Sequence, residues 1–271
     1  MVSRLVIPVD DSQLSLSAIA PGYHLAEKIG AQAVVVSAVP HDDDRSHRET
    51  LIRDVLAERD LRHAEVTVVT TADPAEHLLS LAKEYPDALL YMATHARGAV
   101  GERLFGSVSS QIVREAGVPV LLSGPNLKSE HRVSDIKTVL VCLDGSDISE
   151  GMVEPAAALA KQAGASVRLL QVLPAEAAEL ARSSGASEAG YLGRAVRSVQ
   201  QKFGLSVDWE VLHGDNAGAA IVDYARLEPG ALVAMTTHGR SGISQLVAGS
   251  VAHTVVEHAD CPVLVLRPRR K

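Results

Sequence analysis

Two kinds of segment alternate along the chain. Short apolar runs, such as Leu5–Val9 and Val263–Leu266, are separated by longer segments in which apolar residues recur at helical spacing, as Ile19 and Leu25 do. Short apolar runs are typical of strands buried in a parallel sheet, and the helical spacing is typical of helices that cover such a sheet. We therefore predict that strands and helices alternate in βαβ units with right-handed crossovers in each half of the chain.

The same landmarks occur twice, in the same order. The run Leu5–Asp10 resembles Val139–Asp144, since each is an apolar segment that ends in aspartate, and Tyr91–His95 resembles Ala234–His238. Matched landmarks lie 134 residues apart early in the two copies and 143 residues apart later, so the second copy carries nine extra residues. Internal similarity at this scale indicates a duplicated structural unit.

A polar segment separates the two copies. Residues 123–135 are rich in the turn-forming residues Ser, Gly, Pro, Asn and Asp, which is typical of a linker. We therefore predict one domain over residues 1–125 and a second over residues 135–271. The extra residues of the second copy lie near residues 175–193, where we predict a longer loop or an extended helix.

The ends of the first helix in each copy are marked by residues with capping chemistry. Ser12 and Ser146 follow the first strands closely, and serine is a favoured N-cap because its hydroxyl accepts a hydrogen bond from a backbone N–H of the first turn. Gly30 and Gly164 follow the last helical residues, where glycine is favoured as a C-cap.

Composition narrows the class of protein. The chain is 46% hydrophobic but only 3% aromatic, so its core consists of Val, Leu, Ile and Ala, as suits an α/β fold. The net charge of −7 leaves no broad basic surface for nucleic acid, and we interpret the basic residues 267–271 as a solvated end. The only two cysteines, Cys142 and Cys261, do not form a C-x-x-C pair, which favours a protein of the reducing cytoplasm. The apolar runs are too short to span a membrane, so we expect no membrane span.

The segment over residues 235–251 has the chemistry of a phosphate cradle. An apolar strand leads into a loop that contains Gly239, Gly242 and Gly249, and Ser250 begins the next predicted helix. Glycines let backbone N–H groups approach a polyanion, serine donates a hydroxyl, and a helix N-terminus contributes a positive dipole end. Glycine is also common in turns that bind no ligand, so the loop alone does not decide between a phosphate site and a simple turn.

Several motifs together resemble the universal stress protein family. They are Met235–Gly242, the pair Gly249-Ser250, the closing run Cys261–Val265 and the first-strand motif Asp144–Ser146. The resemblance covers both copies. It implies two tandem Rossmann-like domains, similar to adenine nucleotide alpha hydrolases, each an open five-stranded parallel sheet with helices on both faces.

The resemblance also implies nucleotide-binding residues. Family members that bind ATP carry glycine, two residues, glycine, nine residues, and then glycine with serine or threonine. The second copy has Thr236 at the first glycine and keeps the rest of this pattern. Asp144 is expected to approach the nucleotide from the first strand, and Val172 is expected to meet the adenine. The implied set is Asp144, Val172, Met235, Thr236, Gly239, Arg240, Gly242, Gly249, Ser250 and Val251.

The first copy departs further from the family pattern. Ala93 and Ala96 replace the two early glycines, and Glu102 adds a carboxylate that opposes a triphosphate. The nucleotide-binding positions that it retains are Asp10, Gly106 and Ser107. We expect weaker binding here, or a purely structural role for this copy.

Two functions of different classes remain. One is a stress-response protein that binds ATP, with Mg²⁺ arriving on the phosphates, in the second copy and changes conformation or partner on binding. The other is a nucleotide-independent dimerisation scaffold, which Thr236, Ala93, Ala96 and Glu102 favour. The sequence lacks the lysine motif of P-loop enzymes and a Gly-x-Ser-x-Gly elbow, so we expect at most slow ATP hydrolysis.

The last strand of each copy is a predicted sheet edge. Val118–Leu122 and Pro262–Leu266 are apolar, and exposed apolar edges need a cover. We predict that the two copies pair through these strands as an intramolecular pseudo-dimer, as the family resemblance also implies. A homodimer of two tandem chains is compatible with this arrangement.

Overall fold

The computed structural model of the protein describes residues 1–94, 106–127, 133–176, 190–237 and 249–267. The strands are β1 (Arg4–Val9), β2 (Gln32–Val39), β3 (Glu65–Thr70), β4 (Ala88–Ala93), β5 (Val120–Ser123), β6 (Thr138–Leu143), β7 (Ser166–Leu173), β8 (Val207–His213), β9 (Ala231–Thr236) and β10 (Val263–Leu266). The helices are α1 (Gln13–Ser17), α2 (Ile19–Ile29), α3 (Arg45–Glu58), α4 (Pro74–Glu84), α5 (Ser107–Glu115), α6 (Asp147–Glu150), α7 (Val153–Ala163), α8 (Gly190–Phe203), α9 (Ala217–Arg226) and α10 (Ser250–His258). None of these helices in the described ranges is long and apolar enough to cross a membrane.

The ten strands of the described ranges form one sheet in the order β3-β2-β1-β4-β5-β10-β9-β6-β7-β8. The first five strands pair in parallel with one another, and so do the last five. The two halves meet where β5 and β10 pair antiparallel, with Val263 opposite Leu122 and Val265 opposite Val120. The predicted α/β class, the five-stranded parallel halves and the pairing of the terminal strands are confirmed.

Helices cover both faces of the sheet. In β1, Leu5 and Ile7 point into one apolar cluster, and Val6, between them, points into the other. The first cluster includes buried residues of α2, α3, α7 and α8, and the second includes those of α4, α5, α9 and α10. Each cluster therefore contains residues from both halves of the chain, and the core is continuous across the junction of the repeats.

The helical segment that follows the first strand of each repeat begins and ends at the predicted caps. The Ser12 and Ser146 hydroxyls each accept a hydrogen bond, at 3.2 Å, from the backbone N–H three residues later. Gly30 and Gly164 adopt the left-handed conformation, with φ of 69° and 68°. Serine and glycine therefore have the capping roles that the sequence indicates.

Each predicted first helix is in fact two helices, and proline gives the physical reason. Pro21 and Pro155 are the third residues of α2 and α7. Proline has no N–H to donate to the carbonyl four residues earlier, so a continuous helical ladder cannot run from α1 into α2 or from α6 into α7. Proline is tolerated in a first turn, and a new helix therefore begins there.

The described part of the predicted linker packs against both repeats, since the turn Val133–Asp135 contacts α2 of the first repeat and the residues before it contact the second. The Asn126 side-chain amide donates to the Glu257 carbonyl oxygen at 2.7 Å, and a Cβ at Gly124 would lie 2.4 Å from the Val256 carbonyl oxygen. Val133 and Ile136 are buried in the core. Residues 128–132, and residues 177–189 of the predicted insertion, lie outside the described residues.

Candidate functional site

A cleft of about 300 Å³ opens at the carboxyl ends of β6, β7 and β9, in front of the N-terminus of α10. Ligands of open parallel sheets bind at this edge, because the loops that follow the strands converge there. The cleft brings together seven of the residues that the sequence singles out, namely Asp144, Val172, Met235, Thr236, Gly249, Ser250 and Val251. Gly239, Arg240 and Gly242 lie outside the described residues, as do His95 and His238.

Asp144 is held by the turn that follows β6. Its Oδ1 accepts hydrogen bonds from the Ser146 backbone N–H at 3.0 Å and from the Ser146 hydroxyl at 2.5 Å. The Asp144 N–H donates to the Ser149 hydroxyl oxygen at 3.2 Å. Gly145 has φ of 81°, a conformation that favours glycine. The Asp-Gly-Ser motif thus fixes a carboxylate at the rim of the cleft.

The N-terminus of α10 forms the anion-attracting side of the cleft. Gly249 is its N-cap and makes no side-chain capping bond, and the first turn contains no acidic residue. The first N–H groups of a helix have no acceptor within the helix, and their dipoles favour a negative charge in front of them. This side of the cleft can therefore receive a phosphate group.

The opposite side of the cleft is apolar. Val172 from β7, Ile221 from α9 and Met235 from β9 line it, and Ile221 and Met235 are buried. A flat heteroaromatic ring fits between such side chains, since apolar walls favour removal of its faces from water. Thr236 is buried beside this wall, at the place of the first glycine of the family pattern.

The first repeat has a cleft at the corresponding position. Its volume is about 280 Å³, and Asp10, Gly106 and Ser107 line it together with Met92 and Ala93. The framework of the site is therefore present in both repeats, although the first repeat departs further from the family pattern. The substitutions at Ala96 and Glu102 lie outside the described residues.

Asp10 is held in the same manner as Asp144. Its Oδ1 accepts from the Ser12 N–H at 2.8 Å and from the Ser15 hydroxyl at 2.5 Å. Partial burial opposes ionisation of Asp10, but the hydrogen bonds from Ser12 and Ser15 and the charge of Arg48 outweigh it, so the pKa of this carboxyl is lowered. The first cleft therefore has an ionised carboxylate at its rim near neutral pH.

Sequence comparison of the repeats did not single out His77, which lines the first cleft. Its Nε2 is buried and has no hydrogen-bond partner in the described part of the chain. The signal that could have found it is helix register, because α4 and α9 begin at matching N-caps, Asp73 and Asn216. His77 is four residues after its cap, and the equivalent position of α9, four residues after Asn216, is Ala220.

No group of three or more His, Cys, Asp or Glu side chains within the described ranges is arranged to hold a metal ion. Cys142 and Cys261 are both buried free thiols. Burial raises the pKa of each thiol to about 12. The neighbouring Cys261 raises the pKa of Cys142 further, and the neighbouring Asp260 does the same for Cys261.

A model of the universal stress protein family matches the chain twice, over residues 1–123 and over residues 135–267. The chain belongs to the universal stress protein family. The family resemblance read from the motifs is thereby confirmed, and each match contains one set of five strands and one of the two clefts.

Among relatives of this universal stress protein, one from Methanocaldococcus jannaschii is 31% identical over 144 residues, which cover 50% of this chain and 84% of the relative. A universal stress protein from Mycobacterium tuberculosis is 28% identical over 190 residues, or 66% of this chain and 61% of the relative. The matched region thus spans less than two thirds of the mycobacterial protein.

Solved structures show the same tandem fold. A universal stress protein from Archaeoglobus fulgidus superposes with a TM-score of 0.65 at 17% identity, covering 97% of this chain and 98% of that chain. A protein of unknown function from Pseudomonas aeruginosa superposes with a TM-score of 0.67 at 17% identity, covering 98% of this chain and 93% of that chain. At this level of identity, the likeness supports the fold of this universal stress protein.

Proposed function

We propose that this universal stress protein binds an adenine nucleotide, ATP with Mg²⁺ on its phosphates, in the cleft of the second repeat. It acts in the cytoplasm, where nucleotide occupancy rather than turnover changes its conformation or its choice of partner. The observation that carries this proposal is the juxtaposition of an apolar wall, a fixed carboxylate and an uncapped helix N-terminus in one cleft.

The adenine ring occupies the apolar side of the cleft. Val172 and Met235 supply faces for the base, and Ile221 closes the side next to α9. Asp144 stands at the end of β6, where a carboxylate oxygen can accept hydrogen bonds from ribose hydroxyls. This arrangement orders the ligand with its base toward the sheet and its phosphates toward α10.

The phosphates meet the first turn of α10. The Gly249 position leaves backbone N–H groups unobstructed by a side chain, and the Ser250 hydroxyl is a further donor. Gly239, Arg240 and Gly242 follow β9 in the sequence and lie outside the described residues. A ligand that contacts both the end of β9 and the N-terminus of α10 stabilises one placement of these two elements, which is the basis of the proposed switch.

Titration calorimetry of Mg²⁺-ATP into nucleotide-stripped protein tests the proposal. We expect saturable binding that Gly249→Val weakens by more than about tenfold, because a branched side chain occupies the space in front of the helix N-terminus. Gly190→Val in α8 is the control, since among the described residues a Cβ at Gly190 would meet only the Arg194 side chain, at 3.9 Å. Hydrogen exchange in β9 and α10 should slow on ATP binding only in proteins that retain the cleft.

Absence of ATP binding to the wild-type chain would contradict the proposal and would favour the nucleotide-independent scaffold. Under that alternative, Thr236 and Ala93 mark lost nucleotide sites, and the shape of the tandem sheet serves association alone. Equal ATP affinity in Gly249→Val and wild type would likewise exclude phosphate binding at α10.

A further inference from the structure

The ten-stranded sheet ends in β3 on one side and in β8 on the other. The terminal strands β5 and β10 already pair with each other, so β3 and β8 are the open edges of the described sheet. An edge strand presents backbone N–H and C=O groups that no neighbouring strand pairs, and proteins either protect such an edge or use it to pair with another chain. The two edges of this chain differ in their protection.

Alternate residues of β3 direct their backbone groups away from the sheet. The Thr71 N–H donates to the Val39 carbonyl oxygen of β2 at 3.0 Å, which fixes the alternation. The odd-numbered residues of β3 therefore bond to β2, whereas the N–H and C=O groups of Val66, Val68 and Thr70 point outward. Within the described ranges, no side chain hydrogen-bonds to these outward groups.

Side chains protect part of the outer edge of β8. By the same alternation, the odd-numbered residues of β8 direct their backbone groups outward, since the Gly214 N–H bonds to β7. The Gln200 amide donates to the Val207 carbonyl oxygen at 3.3 Å, and the Asp208 carboxylate accepts from the Trp209 N–H at 2.8 Å. Two outward backbone groups of β8 are therefore already hydrogen-bonded within the chain.

The two edges also differ in charge. Strands β2 and β7 are equivalent at a spacing of 134 residues, and their registers make Thr67 of β3 the counterpart of Glu210 of β8. Both Asp208 and Glu210 are exposed, whereas Val66–Thr70 consists of Val and Thr alone. Charged side chains guard an edge strand, and β-branched residues favour strand pairing, so β3 is the edge that can accept a further strand.

The strand β3 is anchored to the core and also reaches the surface. The Val68 side chain is buried in the apolar cluster that contains the buried residues of α3. Thr67 and Val69 are half-buried, and Thr70 is exposed. The strand therefore has a fixed conformation before any partner arrives, which reduces the entropic cost of pairing.

We propose that β3 pairs antiparallel with β3 of a second copy of this chain, so that the two sheets become one. Pairing Val68 with Val68 of the second copy places Val66 opposite Thr70, and each of these pairs exchanges backbone hydrogen bonds. Glu65 falls opposite the uncharged Thr71, so no like charges face each other along the strand. A twofold axis at Val68 closes the assembly, because the edges that remain are the protected β8 strands.

A second copy suits this edge better than a charged peptide does. In the proposed register, Thr67 lies opposite Val69 on one face and Val66 lies opposite Thr70 on the other, so β-branched side chains meet on both faces. A basic or acidic strand would find no complementary charge along Val66–Thr70. The pairing uses no residue that lines either cleft, so it is independent of the proposed nucleotide binding.

Sedimentation equilibrium of the full-length chain measures the association. We expect a reversible monomer–dimer equilibrium in the wild type and a dissociation constant about tenfold higher or more in Thr67→Glu. The two introduced carboxylates lie diagonally across the junction and repel each other, and each is placed against an apolar side chain of the other copy. The variant should fold, because the counterpart Glu210 carries the same side chain on the other edge.

Two variants serve as controls. Thr67→Val keeps an uncharged β-branched residue and should dimerise as the wild type does. Glu210→Lys changes the charge of the β8 edge and should leave the equilibrium unchanged. A wild-type chain that stays monomeric up to high micromolar concentration would overturn the proposal. A dimer that Thr67→Glu leaves intact would overturn it as well, because the copies would then associate through another surface.

Amide hydrogen exchange followed by NMR tests the pairing residue by residue. The N–H groups of Val66, Val68 and Thr70 should be protected in the dimer and should exchange faster on dilution or in Thr67→Glu. The Val69 N–H, which bonds to β2, should stay protected in both states, whereas unfolding of β3 would expose it as well. Fast exchange of the outward N–H groups in a dimeric sample would overturn the proposal.

Discussion

The aspartates at the ends of β1 and β6 show how single residues shape the two clefts. Asp10 accepts hydrogen bonds from Ser12 and Ser15, and Asp144 accepts two from Ser146. Each carboxylate therefore organises the turn that precedes a helix and stands at the rim of a cleft. Substitution of either aspartate would disturb the turn as well as the ligand contact, so the serines are the better probes.

Ser15→Ala should raise the pKa of Asp10 toward its ordinary value of 3.8. Burial raises this pKa, while hydrogen bonds from Ser12 and Ser15 and the charge of Arg48 lower it by more, so removal of one donor shifts the balance upward. Since the folded-state pKa is depressed, its stabilising contribution is present above about pH 4 and is lost as pH falls through the lowered pKa. Carboxyl ¹³C titration by NMR measures the change.

Ser17→Ala is the matched control for this titration. The Ser17 hydroxyl donates to the Leu14 carbonyl oxygen at 2.6 Å and not to Asp10. The pKa of Asp10 should therefore remain at its wild-type value in Ser17→Ala. An equal shift in both variants would show that the helix, and not the hydroxyl, sets this pKa.

Cys142 and Cys261 should resist alkylation in the native protein. Their pKa values of about 12 leave about one thiol in ten thousand ionised at pH 8, and the thiolate is the nucleophile. Iodoacetamide labelling followed by mass spectrometry should therefore be slower than in urea-unfolded protein by about a thousandfold or more. Rapid native labelling of Cys142, which also lines the second cleft, would contradict this expectation.

At the scale of elements, helix breaks and close packing position the clefts. The prolines at Pro21 and Pro155 separate a short capping turn from the helix that packs on the sheet. The capping turns α1 and α6 stay near the strand ends, and α2 and α7 run along the sheet. In α2, Gly22 permits close approach of the helix to β1 and β4, because a Cβ there would lie 2.7 Å from Ile7 Cδ1 and from Tyr91 Cδ1.

Gly22→Ala should destabilise the protein despite the higher helix propensity of alanine. Propensity favours alanine over glycine by about 1 kcal/mol, but overpacking a core contact costs about 1–3 kcal/mol. Gly193→Ala in α8 is the control, since its nearest contact is the flexible Arg197 side chain at 3.9 Å, and it should be neutral or stabilising. Urea unfolding measures the free energy of unfolding of both variants. If both were equally stabilised, α2 would have to move away from the sheet at no cost in free energy, which would contradict the prediction.

At the scale of the whole molecule, the two repeats share one sheet and one core. The antiparallel pairing of β5 with β10 joins them through the backbone, and both apolar clusters cross the junction. On the sheet face that α2 and α7 cover, the Gln162 side chain also links the two repeats. Gln162 donates to the Val2 and Ile29 carbonyl oxygens at 2.8 and 3.0 Å, and its Oε1 accepts from the Val2 N–H at 2.7 Å.

Gln162→Ala should destabilise the junction between the repeats. The substitution leaves three half-buried backbone groups without this partner, at a cost of about 1–3 kcal/mol, which lowers the melting temperature by several degrees. Lys161→Ala is the control, because Lys161 is exposed and adjacent on the same helix. Calorimetry should show one transition for both repeats in the wild type, whereas two separate transitions would contradict a shared core.

Much of this architecture could be predicted from the order of residues. The two copies align from Leu5–Asp10 and Val139–Asp144 onward, and the serine and glycine caps mark the start of α1 and α6 and the end of α2 and α7. The repeats and the caps depend on local chemistry, such as capping, strand burial and helix period, which neighbouring residues specify. Seven described residues that the motifs of the second repeat single out line one cleft, because the carboxyl ends of parallel strands meet at one edge of a sheet. Their role in binding stays a prediction. The domain limits 1–125 and 135–271 stay a prediction.

Other features depend on which residues meet across the fold. The antiparallel direction of the β5–β10 pair, the Gln162 bridge to Val2 and Ile29, and the lack of space around Gly22 join segments that are distant in the chain. His77 reads in the sequence as one helical residue among others, and only packing of α4 against β2 and β4 turns it into part of a cleft wall. The sequence determined the repeated units through local propensities, whereas the tertiary structure decided the junction and the difference between the clefts, because contact energies arise only once distant surfaces are brought together.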